Sequence, residues 1–261
     1  MVILEKKDFS RETLLKCLKR LKLNGLNAVL NQMLDEAKGS RLTPTETLAY
    51  ALGLEVQCRE EKRIQLGLTL AHFPRVCTLE GYDFKAQEGV DPSAIRELAR
   101  LEWIAQKKNL LFLGPPGVGK THLAIALGRI AVQQGYATTF VTAVDLAKQL
   151  ERADRDGTLE RKLLQYTKPK LLIIDEIGYF PVKPQTAYLF FQLISARYET
   201  SSIILTSNRP VGEWGLVFGD PTATTAILDR VLHHSEVITI RGESYRLLEK
   251  RRSGLLKIRK N

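Results

Sequence analysis

The run Gly114-Pro115-Pro116-Gly117-Val118-Gly119-Lys120-Thr121 restricts this 261-residue chain more than any other stretch. It follows the apolar run Leu110-Leu111-Phe112-Leu113, which reads as a buried parallel strand, and precedes His122-Leu123-Ala124-Ile125-Ala126-Leu127, which reads as a helix. A strand, a glycine-rich turn and a helix start are the context in which G-x-x-x-x-G-K-[ST] cradles phosphate. Glycines let successive backbone N–H groups converge on an anion, and the helix start adds its positive dipole end. Lys120 is then expected on the β- and γ-phosphates of a nucleoside triphosphate and the Thr121 hydroxyl on Mg²⁺, with His122 beside them.

A second signal stands about 60 residues downstream, where Leu171-Leu172-Ile173-Ile174 is followed by Asp175 and Glu176. Four apolar residues bury a strand, and two carboxylates emerge at its C-terminal end, where open α/β sheets bind ligands. Asp175 is expected to organise Mg²⁺, and Glu176 to act as the general base on the attacking water. The strand Ser202–Leu205 leads into Thr206-Ser207-Asn208, whose terminal amide can hold that water or a γ-phosphate oxygen, although Arg209-Pro210 also suits a plain turn. Arg230, near the end of a helix, can pair locally or project into a neighbouring subunit's nucleotide. His233-His234 lacks nearby ligand partners in sequence and reads as a helix C-terminal feature rather than a metal site.

Strands expected at 110–113, 137–141, 171–174, 202–205 and 236–240 alternate with helices. That pattern predicts a layered α/β domain with a parallel sheet over 93–261, beginning with one helix from Ser93 to Lys107. Residues 1–72 read instead as a small all-helical domain. Ser10 is a candidate N-cap, a second helix spans about Leu26–Ala37, and Thr43-Pro44-Thr45-Glu46 has the form of a capping box opening a third. The proline- and glycine-punctuated stretch 73–92 reads as a linker packed along the next domain. Trp103 suits a buried anchor, with stacking near a base as the other reading.

The net charge of +10 implies a polyanionic partner, with nucleic acid ahead of membrane because no long apolar segment is present. Candidate phosphate contacts are Lys16, Lys19, Arg20 and Lys22 in the helical domain and Lys148, Arg152, Arg155, Arg161 and Lys162 between the second and third strands. Acidic residues alternate with the second set, which leaves a solvated face as the competing reading. In the tail, Arg246, Lys250, Arg251, Arg252, Lys257, Arg259 and Lys260 oppose only Glu249, suiting a phosphate-binding arm or a soluble end. Three widely spaced cysteines without a C-x-x-C pair fit reduced thiols in a cytoplasmic protein.

Taken together, GPPGVGKTHLAIALG, LLIIDEIGYFP, LFFQLISARYE, SIILTSNRP, EWG, AILDRVLHHS and GESYR resemble the IstB family of transposition helper ATPases, kin of the DnaC-type helicase loaders. Phe180, at a position expected to be aliphatic, departs from that pattern. The resemblance implies a five-stranded AAA+ core, with Lys120 and Thr121 as Walker-A contacts, Asp175 and Glu176 as Walker B, and Asn208 as sensor 1. It further implies Arg230 as a finger acting on the next subunit and Arg246 as the candidate for sensor 2. ATP and Mg²⁺ are the implied ligands. The implied partners are further copies of the chain with nucleotide at subunit interfaces, double-stranded DNA bound without strong sequence preference, and a transposase. A helicase loader is the alternative within this resemblance; a P-loop kinase acting on a small molecule is a third reading, without support from Asn208 or Arg230.

Overall fold

The computed structural model describes residues 10–40, 42–87, 89–178 and 183–245. The chain divides into two compact units at Leu66/Gly67, inside a helix that the capping-box motif opens.

The first unit is helical. Helix α1 (Arg11–Arg20) starts at Ser10, whose hydroxyl accepts from Thr13 N–H, and α2 covers Asn24–Gly39. Helix α3 (Pro44–Leu70) opens on a reciprocal box in which Thr43 N–H donates to Glu46 and Glu46 N–H to Thr43 Oγ1. Leu18, Leu26, Leu30, Met33 and Ala51 form the unit's core. Glu55 is buried among them and accepts from Arg59 Nε and Leu26 N–H, both at 2.8–2.9 Å. The Arg59 bond, then the backbone bond, hold its carboxyl below the usual range, so the buried group stays ionised.

The second unit is a five-stranded parallel sheet in the order β2-β3-β4-β1-β5, built from β1 (Asn109–Leu113), β2 (Thr138–Thr142), β3 (Leu171–Ile177), β4 (Ser202–Ser207) and β5 (Ser235–Thr239). Neighbouring residues on a strand face opposite ways, and the core divides accordingly. Leu110, Phe112, Leu171, Ile173 and Ile204 pack on one face, with helix α6 (Lys120–Gln133) and the short helices α4 (Pro92–Leu98) and α5 (Glu102–Ala105). Leu111, Leu172, Ile174, Ile203 and Leu205 pack on the other. There they meet α7 (Ala143–Arg155), α8 (Leu159–Thr167), α9 (Pro184–Arg197), α10 (Trp214–Phe218) and α11 (Pro221–His233). Burial on both faces is what the unbroken apolar runs in the sequence required.

Three differences from the sequence expectation have local causes. The single helix expected over 93–107 is broken at Leu101, which is buried and left-handed (φ 64°). Burying Leu98, Leu101, Trp103 and Ile104 in one core forces the break, and Trp103 Nε1–H takes up the Leu98 carbonyl at 2.9 Å. Trp103 is thus a buried anchor. The stretch 73–92 belongs to the second unit's core, burying Cys77, Tyr82 and Val90. Helix α10 was not anticipated, although Trp214, Val217 and Phe218 recur at helical spacing and all three are buried.

Arg197, fully buried at the end of α9, fastens the edge of the sheet where β3 and β4 begin. Its guanidinium donates to the carbonyls of Tyr166 (2.6 Å), Pro169 (3.0 Å) and Ser202 (2.7 Å). Burial pulls its pKa down to about 9, which still leaves it charged at neutral pH. Arg197→Met keeps the stem and strands three buried carbonyls, so urea unfolding should show a loss of about 3 kcal/mol. An unchanged midpoint would mean the carbonyls find other partners.

Candidate nucleotide site

The site lies at the C-terminal ends of β1, β3 and β4. Gly114 leaves β1 with φ 149°, and its N–H still bonds the Ser207 carbonyl of β4 at 3.2 Å. The loop then turns through Gly117 (φ 85°) and Gly119 (φ 95°) into α6, which begins at Lys120. No side chain caps the start of α6, so its first N–H groups face the cleft as an anion-binding end. Lys120 is nearly buried, and its ammonium donates to the Gly114 and Pro115 carbonyls at 2.7 and 2.8 Å. Those bonds hold the ammonium against the first two carbonyls of the loop.

Asp175 is buried at 3% exposure and is held from two sides. One carboxylate oxygen, Oδ1, accepts from the Thr121 hydroxyl at 2.8 Å and from the Thr206 hydroxyl at 2.5 Å. Thr206 Oγ1 in turn accepts from Glu176 N–H at 2.9 Å. A single buried hydroxyl therefore fixes both acidic residues. The β3–β4 register shifts between Ile174 and Ile177, and Glu176 is left-handed (φ 64°). This bulge buries Asp175 and turns Glu176 outward into the cleft, where two consecutive residues of a regular strand would face opposite sides of the sheet. Such a conformation costs on the order of 1–3 kcal/mol in a non-glycine residue and persists where the surroundings impose it.

Asn208 lines the same cleft from the end of β4. Its Oδ1 is buried with no partner among the described residues. The tips of β3 and β4 are tied by Ser207 Oγ–H donating to the Ile177 carbonyl (2.7 Å) and Arg209 Nε–H to Gly178 (3.0 Å). Thr121 and Asp175 together offer hard oxygen donors of the kind Mg²⁺ takes, and their 2.8 Å contact brings them close enough to share one ion.

The cleft has a volume of about 220 Å³, and several of its walls were not foreseen. Arg75, Tyr82, Asp83 and Gln87 come from the stretch read as a linker, and Tyr245 from beyond β5. Tyr82 donates to the Val118 carbonyl at 2.9 Å, and burial pushes its phenol up to about 12, so it remains a neutral donor. His122, an expected cleft residue, has Nε2 at 2.7 Å from the Thr78 carbonyl. Tyr245 N–H bonds Gly117 O at 3.0 Å. The legible signal for these residues was the run of aromatics interrupting the prolines and glycines, Tyr82 and Phe84 above all, which stack edge to face.

Arg230 is elsewhere. It sits on α11 just before β5, whose first residue, Ser235, pairs with Asn109 at the start of β1, whereas the phosphate loop follows the end of β1. Five strand residues at about 3.3 Å each put roughly 16 Å of sheet between the two ends. Its guanidinium lies 4.7 Å from the centre of the Phe191 ring and donates to Ala226 O at 3.1 Å. Beside it, the turn before β4 brings Glu199 to the two histidines. Glu199 Oε1 is 3.5 Å from His234 Nε2, and the Tyr198 hydroxyl meets His233 Nδ1 at 2.5 Å. That carboxylate neighbour was invisible in the sequence, 34 positions away from His233.

The basic candidates are mostly exposed. Lys16 pairs with Glu12 at 2.8 Å, and Lys19, Arg20 and Lys22 face solvent. Lys148, Arg155 and Arg161 are exposed, Arg152 meets Asp156 at 3.5 Å, and Lys162 donates to Gln149 and Gln165. Phe180, Arg246 and the rest of the basic tail lie outside the described residues.

Comparison with known proteins agrees with this geometry. The model of a family described as IstB-like ATP binding protein matches residues 16–253. The chain belongs to that family. Among its curated relatives, the IS5376 ATP-binding protein of Geobacillus stearothermophilus is 48% identical over 84% of this chain and 87% of its own length. The IS21 ATP-binding protein of Pseudomonas aeruginosa is 46% identical over 92% of this chain and 90% of its own. Solved structures share the fold: DnaI (TM-score 0.55, 20% identity, 63% of this chain and 91% of that one) and the DnaC helicase loader (0.52, 23%, 63% and 97%). This IstB-like chain therefore has an AAA+ P-loop domain with a helical region before it. Among its described residues no helix is long and apolar enough to cross a membrane.

In this IstB-like loop Gly119 has no room for a side chain. A Cβ there would stand 2.4 Å from the Tyr82 ring on a backbone already at φ 95°. Gly119→Ala should lower stability by about 1–2 kcal/mol and, by displacing Tyr82 into the cleft, abolish the rise in melting temperature that ATP brings. A variant that melts and responds like the parent would show the loop to be more pliant than this packing implies.

Proposed function

We propose that the chain is a Mg²⁺-dependent ATPase that assembles on double-stranded DNA and assists a partner transposase. The observation that carries this reading is the Thr121–Asp175–Thr206–Glu176 chain of bonds beneath the phosphate loop, which joins a metal-binding pair to a base in one rigid unit. Thr121 and Asp175 would hold the ion, which would offset phosphate charge. Lys120 leaves the loop carbonyls for the β- and γ-phosphates, and the α6 N–H groups hold the anion in place. Glu176 takes the proton of the attacking water, which Asn208 orients through its unpartnered carbonyl oxygen.

Arg230 completes the site of the next subunit. It lies too far along the sheet to reach its own cleft, and the energy that a finger supplies in trans would make turnover depend on assembly. The helical residues 1–72 are the proposed docking part for DNA or partner. The stretch 73–92 lies over the nucleotide, and 93–261 is the motor. Lys16, Lys19, Arg20, Lys22, Lys148, Arg152, Arg155, Arg161 and Lys162 remain the candidate phosphate contacts, supported by the charge of +10.

Relatives that share nearly half their residues with this chain are named for insertion sequences, which favours transposition. The fold shared with DnaC and DnaI supports a second reading, a helicase loader. Co-purification with a hexameric helicase rather than a transposase would decide for the loader.

Glu176→Gln should retain ATP affinity and lose at least about a hundredfold in kcat. Thr206→Val should cost about ten- to a hundredfold in kcat at nearly constant affinity, with Thr206→Ser restoring it. Light scattering with duplex DNA should show large particles with ATP and small ones with ADP. Wild-type kcat in Thr206→Val, or particles indifferent to nucleotide, would count against the proposal.

A further inference from the structure

Triphosphate, metal and water account for one part of the cleft, lined by the loop residues, Thr121, Glu176, Thr206 and Asn208. The remaining lining, Arg75, Tyr82, Asp83, Gln87 and Tyr245, is left to face the nucleoside. Arginine has no acceptor to offer. The Tyr82 hydroxyl donates to Val118 O, and Asp83, whose Oδ1 accepts from Ala86 N–H at 3.0 Å, is only half-buried, so water can satisfy its other oxygen. Gln87 differs from all of these. It is 1% exposed, and its Oε1 is buried with no hydrogen-bond partner among the described residues.

The orientation of this amide follows from chemistry. Its Nε2 donates at 2.9 Å to the Glu243 carbonyl, a group that only accepts, so the nitrogen is there and the oxygen is the unpaired end. The residue is also fixed in place. Val90 N–H bonds the Gln87 carbonyl at 3.1 Å, and the backbone of Gly89 lies against Arg241 so closely that a Cβ would stand 2.3 Å from the Arg241 oxygen. Gly242 (φ 147°) passes Oε1 so closely that a Cβ there would stand 2.9 Å from it, a second reason for glycine at that position. An unpaired buried acceptor held in the wall of a nucleotide cleft selects for a donor on the ligand. Adenine presents its 6-amino group as such a donor. Hypoxanthine and guanine present a 6-oxo acceptor in the same place, which would set two oxygens against each other.

We infer that Gln87 is the residue that makes this cleft specific for an adenine nucleotide, accepting a hydrogen bond from the 6-amino group through Oε1. The inference rests on the ATP reading above. Glu243, which accepts from Gln87 Nε2, and Tyr245, which bonds the phosphate loop, lie on one short segment.

Calorimetric titration of the full-length protein with the Mg²⁺ salts of ATP, inosine triphosphate, purine riboside triphosphate and inorganic tripolyphosphate tests the idea. Wild type should bind ATP at least about tenfold more tightly than either base analogue, since a site built to pair a donor rejects ligands lacking it. Gln87→Leu should bring that ratio close to one and leave tripolyphosphate affinity unchanged. A purely structural Gln87 would weaken all three nucleotides together with their ratios intact, and that result overturns the proposal. So does a wild type that fails to distinguish ATP from purine riboside triphosphate, a comparison that needs no variant. If wild type bound tripolyphosphate and no nucleotide the base-reading role would fall and the phosphate loop would stand; if it bound neither, the nucleotide reading would fall with it.

Discussion

The Asp175 carboxylate is the point on which the second unit's chemistry converges. It is buried, it accepts from Thr121 at the start of α6 and from Thr206 on β4, and it sits one residue before the outward-turned Glu176. A carboxyl group at that depth is tolerable because its oxygens are taken up by hydroxyls placed for them. Removing either hydroxyl leaves charge under-satisfied beside the phosphate loop. The sheet order follows the same demand, since β3 and β4 are neighbours and β1 joins β4, so that the loop, the metal pair and the amide open on one edge.

The strain at Glu176 belongs to that arrangement. Regular pleating would alternate 175 and 176 across the sheet, which suits a buried Asp175 but points Glu176 into the opposite core. The register shift between Ile174 and Ile177 solves this with a left-handed residue, and the Glu176 N–H that the bulge frees is taken up by Thr206. Asn208 lies two residues beyond Thr206, so alternating positions of one strand end serve the acid pair and the amide.

The parallel sheet and the phosphate loop were plain in the sequence because both are local: apolar runs such as Leu110–Leu113 and Leu171–Ile174, and a strand, turn and helix in succession. The reciprocal box at Thr43 and Glu46 was equally readable. Other features depended on distant neighbours and could not be read from spacing. Thr206 looked like part of a polar strand ending, and its bond to Asp175 exists only because β4 lies beside β3. Gln87 and Tyr82 stood in a stretch whose prolines and glycines suggested a linker, while the fold uses it as a wall of the cleft. Leu101 broke an expected helix because four large side chains had to reach one core, and Glu199 reached the two histidines only through tertiary packing.

In the proposed function Arg230 carries the step from a single subunit to an assembly. It lies toward the end of the sheet opposite its own cleft, next to Phe191, so it would serve catalysis where another copy brings its cleft alongside. Mixing two inactive variants tests this most directly: Glu176→Gln, with an intact arginine and no base, and Arg230→Ala, with an intact site and no finger. ATP turnover on DNA should be near background for each alone and return in the mixture, at interfaces where one lends its arginine to the other. A mixture as inactive as its components, or full activity in Arg230→Ala by itself, would contradict the account.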